Sequence, residues 1–214
     1  MKLLLIRHGK MAGDPYVRPA RPVTGSLSDA VGIPQARALS ARLKDEPIDI
    51  ALSSPYGRAL QTAEIALAGR DVPIRILDCL IEWQPDPALK NATSTQFEAI
   101  MQLESQRCAE ETWKTELGEG CFDMYARIIP PFLAALADLG IRSRQGGFVP
   151  DAAAATKTVA VFAHGGSLSV VLAHLLGVRP FPVGSFHIEE TAVATIEFTE
   201  RQGIHYPVLR IPQG

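Results

Sequence analysis

The stretch that most constrains this chain is its first ten residues, MKLLLIRHGK. Leu3, Leu4, Leu5 and Ile6 form an apolar run too short for a helix and suited to a strand buried on both faces. The run ends abruptly in Arg7, His8 and Gly9. Charge at the end of a buried strand must be paired or used. In open α/β sheets the carboxyl ends of strands are where ligands bind. Arg7 can offer a planar fork of donors to phosphate oxygens and His8 an imidazole nitrogen to phosphorus, while Gly9 leaves room for close backbone approach. On their own, these three residues fit a strand stopping in a polar turn slightly better.

A length of 214 residues predicts one α/β domain over 1–214 with a sizeable core. Hydrophobic residues at 47% and charged residues at 21% argue against long disorder. A net charge of -2 predicts no general affinity for nucleic acid or membrane surfaces. Cys79, Cys108 and Cys121 are odd in number and lack CxxC spacing, so neither a disulfide framework nor a zinc cluster is suggested. Lys2, four apolar residues and Arg7 make too short a core for a signal peptide. The most membrane-like window, Thr158 to Val178, is interrupted by His164, Gly165, Gly166 and His174. A cytoplasmic protein is expected.

Met11 to Ser26 holds three prolines and two glycines with no apolar period, and reads as a long loop. Lys10, Arg18 and Arg21 give it a basic character that hints at an anionic substrate. Ser28 is a plausible cap for a helix ending near Asp45, with Pro34 predicting a kink or a start near Ile33. A strand is predicted at Ile48–Leu52 and a helix at Pro55–Ala68, with Arg58 in its first turn. A basic residue there is disfavoured by the helix dipole unless an anion binds. Pro73–Leu77 predicts a strand leading to Glu82, which lies between apolar residues, a setting that favours the protonated acid. Asp86 is its reserve. Helices are predicted at Thr95–Glu116 and Cys121–Leu139, the latter kinked or split at Pro130 and Pro131. Residues 83–125 read as a helical cap, and 143–157, which mixes Gly, Pro and an alanine run, as a flexible insertion.

Thr158–Ala163, TVAVFA, predicts a strand that again ends in chemistry, at His164, Gly165, Gly166 and Ser167. A helix from Ser167 to Leu176 follows, so an imidazole stands beside backbone N–H groups at a helix N-terminus. A second histidine before glycine at a strand end is hard to dismiss as structural. Ala192–Phe198 and Ile204–Ile211 predict a hairpin turning at Arg201–Gly203. His174 and His205 read as structural, and His187 is a candidate for the pocket wall.

Together these stretches resemble the histidine phosphatase superfamily, also called phosphoglycerate mutase-like. The resemblance rests on Leu5-Ile6-Arg7-His8-Gly9, Leu27-Ser28 with Gly32 and Gln35-Ala36, Ser53-Ser54-Pro55 with Arg58-Ala59 and Gln61-Thr62-Ala63, Glu82, and Ala163-His164-Gly165-Gly166. It implies a three-layer α/β/α sandwich with a mostly parallel central sheet and the site above its carboxyl ends. It implies His8 as nucleophile forming a phosphohistidine, and Arg7, Arg58 and His164 as a positive cradle. Glu82 would be the general acid, then the base that activates water. Gly9, Lys10, Arg21 and Gly165 join Arg7 and Arg58 as candidate substrate contacts. No metal or other cofactor is implied, and the partner is a small phosphorylated substrate.

The chain departs from the family pattern in Lys10-Met11 after the RHG triplet and in Trp83-Gln84-Pro85 after Glu82. Residues 83–118 lack the Arg-His-Tyr run of glycolytic mutases, which favours a phosphatase over a mutase. A catalytically weak phospho-ligand binding module and a metal site built on His8 and His164 are the remaining readings. Oligomeric state is left open.

Overall fold

The first strand, β1 (Lys2–Arg7), lies in the interior of an eight-stranded sheet. A computed structural model describes residues 1–13, 25–104, 118–179 and 186–211. The other strands are β2 (Ile50–Ser53), β3 (Ile74–Ile76), β4 (Ile141–Arg144), β5 (Gly147–Pro150), β6 (Thr158–Ala163), β7 (Val193–Arg201) and β8 (Ile204–Arg210). Their order is β3-β2-β6-β1-β7-β8-β5-β4.

The apolar run of β1 is explained by what covers it. Leu3 and Leu5 point into one core cluster and Leu4 and Ile6 into another, on opposite faces of the sheet. Each of these four side chains is at most 2% exposed, and burial of each contributes about 2 kcal/mol. One face is covered by α1 (Gly32–Leu43) and α2 (Gly57–Ala66). The other carries α4 (Cys121–Asp138) and α5 (Gly165–Leu175), whose Met124, Ile128, Phe132, Leu168 and Val171 fill the larger cluster. The sandwich therefore has three layers, α/β/α. A short helix, α3 (Ser94–Glu104), follows two 3-10 turns at Asp78–Leu80 and Pro87–Asn91.

The sheet is mixed rather than mostly parallel. Strands β3, β2, β6 and β1 run parallel, while β7, β8, β5 and β4 attach antiparallel. Two of the four antiparallel pairings are hairpins. Gln202 and Gly203 between β7 and β8, and Gln145 and Gly146 between β4 and β5, all have positive φ. That is the geometry of a two-residue turn which can only join antiparallel neighbours. Residues 143–150 of the stretch read as a flexible insertion thus belong to β4, β5 and the turn between them.

Helix α1 starts at Gly32, with Pro34 in its first turn where no kink is needed. Ser28 is not its cap residue, but its Oγ accepts the Gly32 N–H at 3.0 Å. Helix α4 passes through Pro130 and Pro131 as one element. Both prolines face solvent, while Ile128, Ile129 and Phe132 are at most 3% exposed, so packing offsets the missing backbone bonds. The predicted continuation of α3 to Glu116 lies outside the described residues. No helix among the described residues is long and apolar enough to cross a membrane.

Candidate active site

Parallel pairing of β1 with β6 sets Arg7 opposite Ala163, so the two strand ends deliver His8 and His164 side by side. Their ring centroids are 4.9 Å apart and their planes meet at 62°. Both rings are buried, and the His8 backbone N–H donates to Ala163 O at 3.0 Å.

His8 Nδ1 lies 2.7 Å from Gly9 O. A carbonyl only accepts, so Nδ1 carries the proton and Nε2 keeps its lone pair. Arg58 agrees with this assignment, because its Nε–H donates to His8 Nε2 at 3.0 Å and a guanidinium cannot accept. Arg58 is the second residue of α2, is 1% exposed, and lies over the Tyr56 ring at 5.1 Å. Desolvating a guanidinium costs several kcal/mol, an expense hard to justify by packing alone. One turn further along α2, Thr62 Oγ1 accepts the Gly9 N–H at 3.1 Å and donates to Arg58 O at 2.6 Å. That hydroxyl ties the exit of β1 to the helix that carries Arg58.

His164 Nε2 is hydrogen-bonded to Ser54 Oγ at 2.9 Å, just beyond β2. Tyr56 meets the same ring edge-on at a centroid distance of 5.2 Å. Arg7 donates from Nη1 to Ile188 O at 2.7 Å, and its buried Nε has no hydrogen-bond partner among the described residues. A buried donor left unsatisfied costs about 1–3 kcal/mol, so Arg7 retains capacity for an anion. A Cβ on Gly165 would stand 3.6 Å from Arg7 Cζ, so the guanidinium lies along the start of α5.

Glu82 follows the Asp78–Leu80 turn and reaches the same place. Its carboxylate accepts from Trp83 N–H at 2.9 Å and from Gly166 N–H at 3.4 Å. A Cβ on Gly166 would fall 2.5 Å from Glu82 Oε1, so glycine is required for this approach. The carboxylate therefore crosses the positive end of α5.

His8, Arg58, His164, Arg7, Gly165 and Glu82 thus converge. Several other candidates are engaged elsewhere or not described. Lys10 Nζ is half exposed and pairs with Glu190 at 3.7 Å, while its backbone N–H donates to Gln35 Oε1 at 2.6 Å. Arg18 and Arg21 lie outside the described residues. Asp86 is occupied in accepting from Ala88 N–H at 2.7 Å to cap the 3-10 turn it precedes. Trp83 packs against the core and donates its indole N–H to Glu119 O at 2.7 Å. His187 is exposed and pairs with Glu189. His174 bonds Tyr125 Oη at 2.7 Å, and its burial pushes its pKa down. The Cys79 thiol is pushed up, chiefly by burial, against the opposing pull of Arg127. Ser54 and Thr62 were given no role by sequence reasoning, although both stand in the block around Arg58 that carried the resemblance. The Ile188 carbonyl had no signal at all.

Two histidines at adjacent parallel strand ends, a buried arginine on the lone pair of one and a carboxylate at the helix after the other define a class. The chain belongs to the histidine phosphatase superfamily (branch 1), whose family model matches residues 3–205. Its relatives include the adenosylcobalamin/alpha-ribazole phosphatase of Salmonella typhi, 29% identical over 208 residues, spanning 94% of this chain and 92% of that protein. A "Probable phosphoglycerate mutase" of Yersinia enterocolitica is 25% identical over 201 residues, covering 94% of this chain and 86% of that one. The fold is shared with a mycobacterial glucosyl-3-phosphoglycerate phosphatase, with a TM-score of 0.74 at 22% identity, covering 98% of this chain and 97% of that chain.

Proposed function

We propose that the chain is a metal-independent phosphomonoesterase acting on a small phosphorylated metabolite through a phosphohistidine. The observation that carries this reading is the His8 tautomer: the Nδ1–H bond to Gly9 O leaves Nε2 as a lone pair held by Arg58. In the first step Nε2 attacks phosphorus and the bond to the leaving oxygen breaks. Glu82, protonated, gives that oxygen its proton. In the second step Glu82, now a carboxylate, takes a proton from water, whose oxygen attacks phosphorus and releases His8 with its lone pair restored. Arg7, Arg58 and His164 bear the charge that gathers on the phosphoryl oxygens, a task that a metal ion performs in other phosphoryl-transfer sites. The phosphatase named among the relatives supports a phosphomonoester substrate.

The test is phosphate release from aryl and alkyl phosphates in the presence of chelator, without any bisphosphate, for the wild type and His8→Ala. Turnover by the wild type alone, with an acid-labile, base-stable phosphoryl label trapped on His8, is the expected result. Activity that disappears in chelator would sink the metal-free route. Turnover that requires a bisphosphate would make the protein a mutase.

A further inference from the structure

Glu82 sits on a loop, yet a general acid must be held within a fraction of an ångström of its target. The loop has a brace. Arg127, on α4, forms a two-pronged ion pair with Glu119, through Nε to Oε1 and through Nη2 to Oε2, the latter at 2.7 Å. The same guanidinium donates to Cys79 O at 2.9 Å, Ile81 O at 3.3 Å and Glu82 O at 3.4 Å. Glu119 in turn accepts the Gln84 N–H at Oε2, 2.9 Å, and the Trp83 indole N–H at its carbonyl. Its own N–H donates to Gln84 O at 3.0 Å. Gln84 Nε2 completes the ring with bonds to Glu82 O at 2.6 Å and Tyr56 Oη at 2.9 Å.

The pair is not a surface ornament. The side chains of Arg127 and Glu119 are 23% and 15% exposed, and Met124 and Ile128 on either side of Arg127 are fully buried. Arg127 is therefore fixed to the core, and it distributes its donors over the one segment that carries Glu82. A fork of this kind is within reach of arginine and not of lysine.

We infer that Arg127 and Glu119 are positioning residues for Glu82, setting the proton donor against the leaving oxygen while leaving the phosphoryl cradle alone. This rests on the reading of Glu82 as the general acid. It carries a signature that a merely structural ion pair lacks. A missing or displaced acid costs little when the leaving group departs easily and much when it does not. The ratio of kcat/KM for an aryl phosphate to that for an alkyl phosphate therefore reports the acid. Because kcat/KM covers only the steps through phosphohistidine formation, the later use of Glu82 as a base does not enter.

The experiment measures that ratio for the wild type, Arg127→Met, Arg127→Lys, Glu119→Gln and Glu82→Gln, alongside inhibition by inorganic phosphate. Arg127→Met is expected to raise the ratio about tenfold or more, with Arg127→Lys and Glu119→Gln intermediate. Phosphate inhibition stays at its wild-type level. Added to Glu82→Gln, Glu119→Gln produces no further rise. Should Arg127→Met not fold, the two milder variants and the double variant decide. Equal losses on both esters, or a rise in Glu82→Gln that no brace variant shares, would overturn the inference alone. An unchanged ratio in Glu82→Gln would remove the acid reading and the brace with it.

Discussion

Arg58 and His8 meet through a hydrogen bond, the guanidinium Nε–H on the imidazole Nε2 at 3.0 Å. In the mechanism proposed above, the donor that aims the lone pair stands where an incoming phosphoryl oxygen also finds its partner. Under that mechanism Arg58 serves both to orient the nucleophile and to balance the charge on the transferring group.

Replacing it should separate activity from stability. Arg58→Met is expected to lower kcat/KM on an aryl phosphate by about 10²–10³-fold. The melting temperature should hold or rise, because removing a 1% exposed charge relieves its desolvation. Thermal melts beside the phosphatase assay check both halves, and a large drop in melting temperature would make Arg58 a structural residue.

Gly166→Ala places a methyl 2.5 Å from Glu82 Oε1. The atom that must yield is the tip of a side chain, and alanine favours the helix by up to about 1 kcal/mol. Stability should therefore change by less than about 1 kcal/mol while alkyl phosphate turnover falls about tenfold. A crystal structure of the variant should find Glu82 turned away from α5.

Ser54→Ala removes a hydrogen-bond partner of His164 Nε2. Losing one bond of this kind should lower kcat about tenfold, with a smaller effect on KM, if the Ser54 bond orients His164 toward the transferring group. Steady-state kinetics on one aryl ester suffice. A change in KM alone would place His164 in ground-state binding instead.

His174 supplies a pH dependence outside the site. Burial lowers its folded pKa below the unfolded value, so the unfolded chain binds more protons in the window between the two. The associated stability is full above the unfolded value and is lost as pH falls through it toward the folded one. Melting temperatures measured from about pH 7.5 to 5 should decline less steeply in His174→Gln than in the wild type. Parallel curves would show that His174 does not titrate in this range.

What could be read ahead of the structure was local. The both-faces burial of Leu3 to Ile6 and the histidines at two strand ends are patterns within a few residues. So is the Ser53–Ala63 block. The hairpin at Gln202-Gly203 was legible for the same reason. The identical Gln145-Gly146 pair was missed because Pro150 and the alanine run after it look like irregular chain. That omission also concealed how much of the sheet runs antiparallel. Arg127 lies 48 residues from Cys79, whose carbonyl it holds, and no spacing rule connects a helix interior to a distant loop. Nor does composition distinguish Lys10, tied to Glu190, from a basic residue that faces substrate.

The interior position of β1 bears on how this protein fails. Its backbone is laced to β6 on one side and β7 on the other, so His8 rides on a strand with no open edge. Glu82 rides on a loop whose anchorage passes through Arg127 and Glu119. As temperature rises, the loop can come undone while the strand remains in register. Heat should therefore first produce a protein that can still accept a phosphoryl group from an easy donor but handles difficult esters poorly. Only at the cooperative transition should it lose the nucleophile.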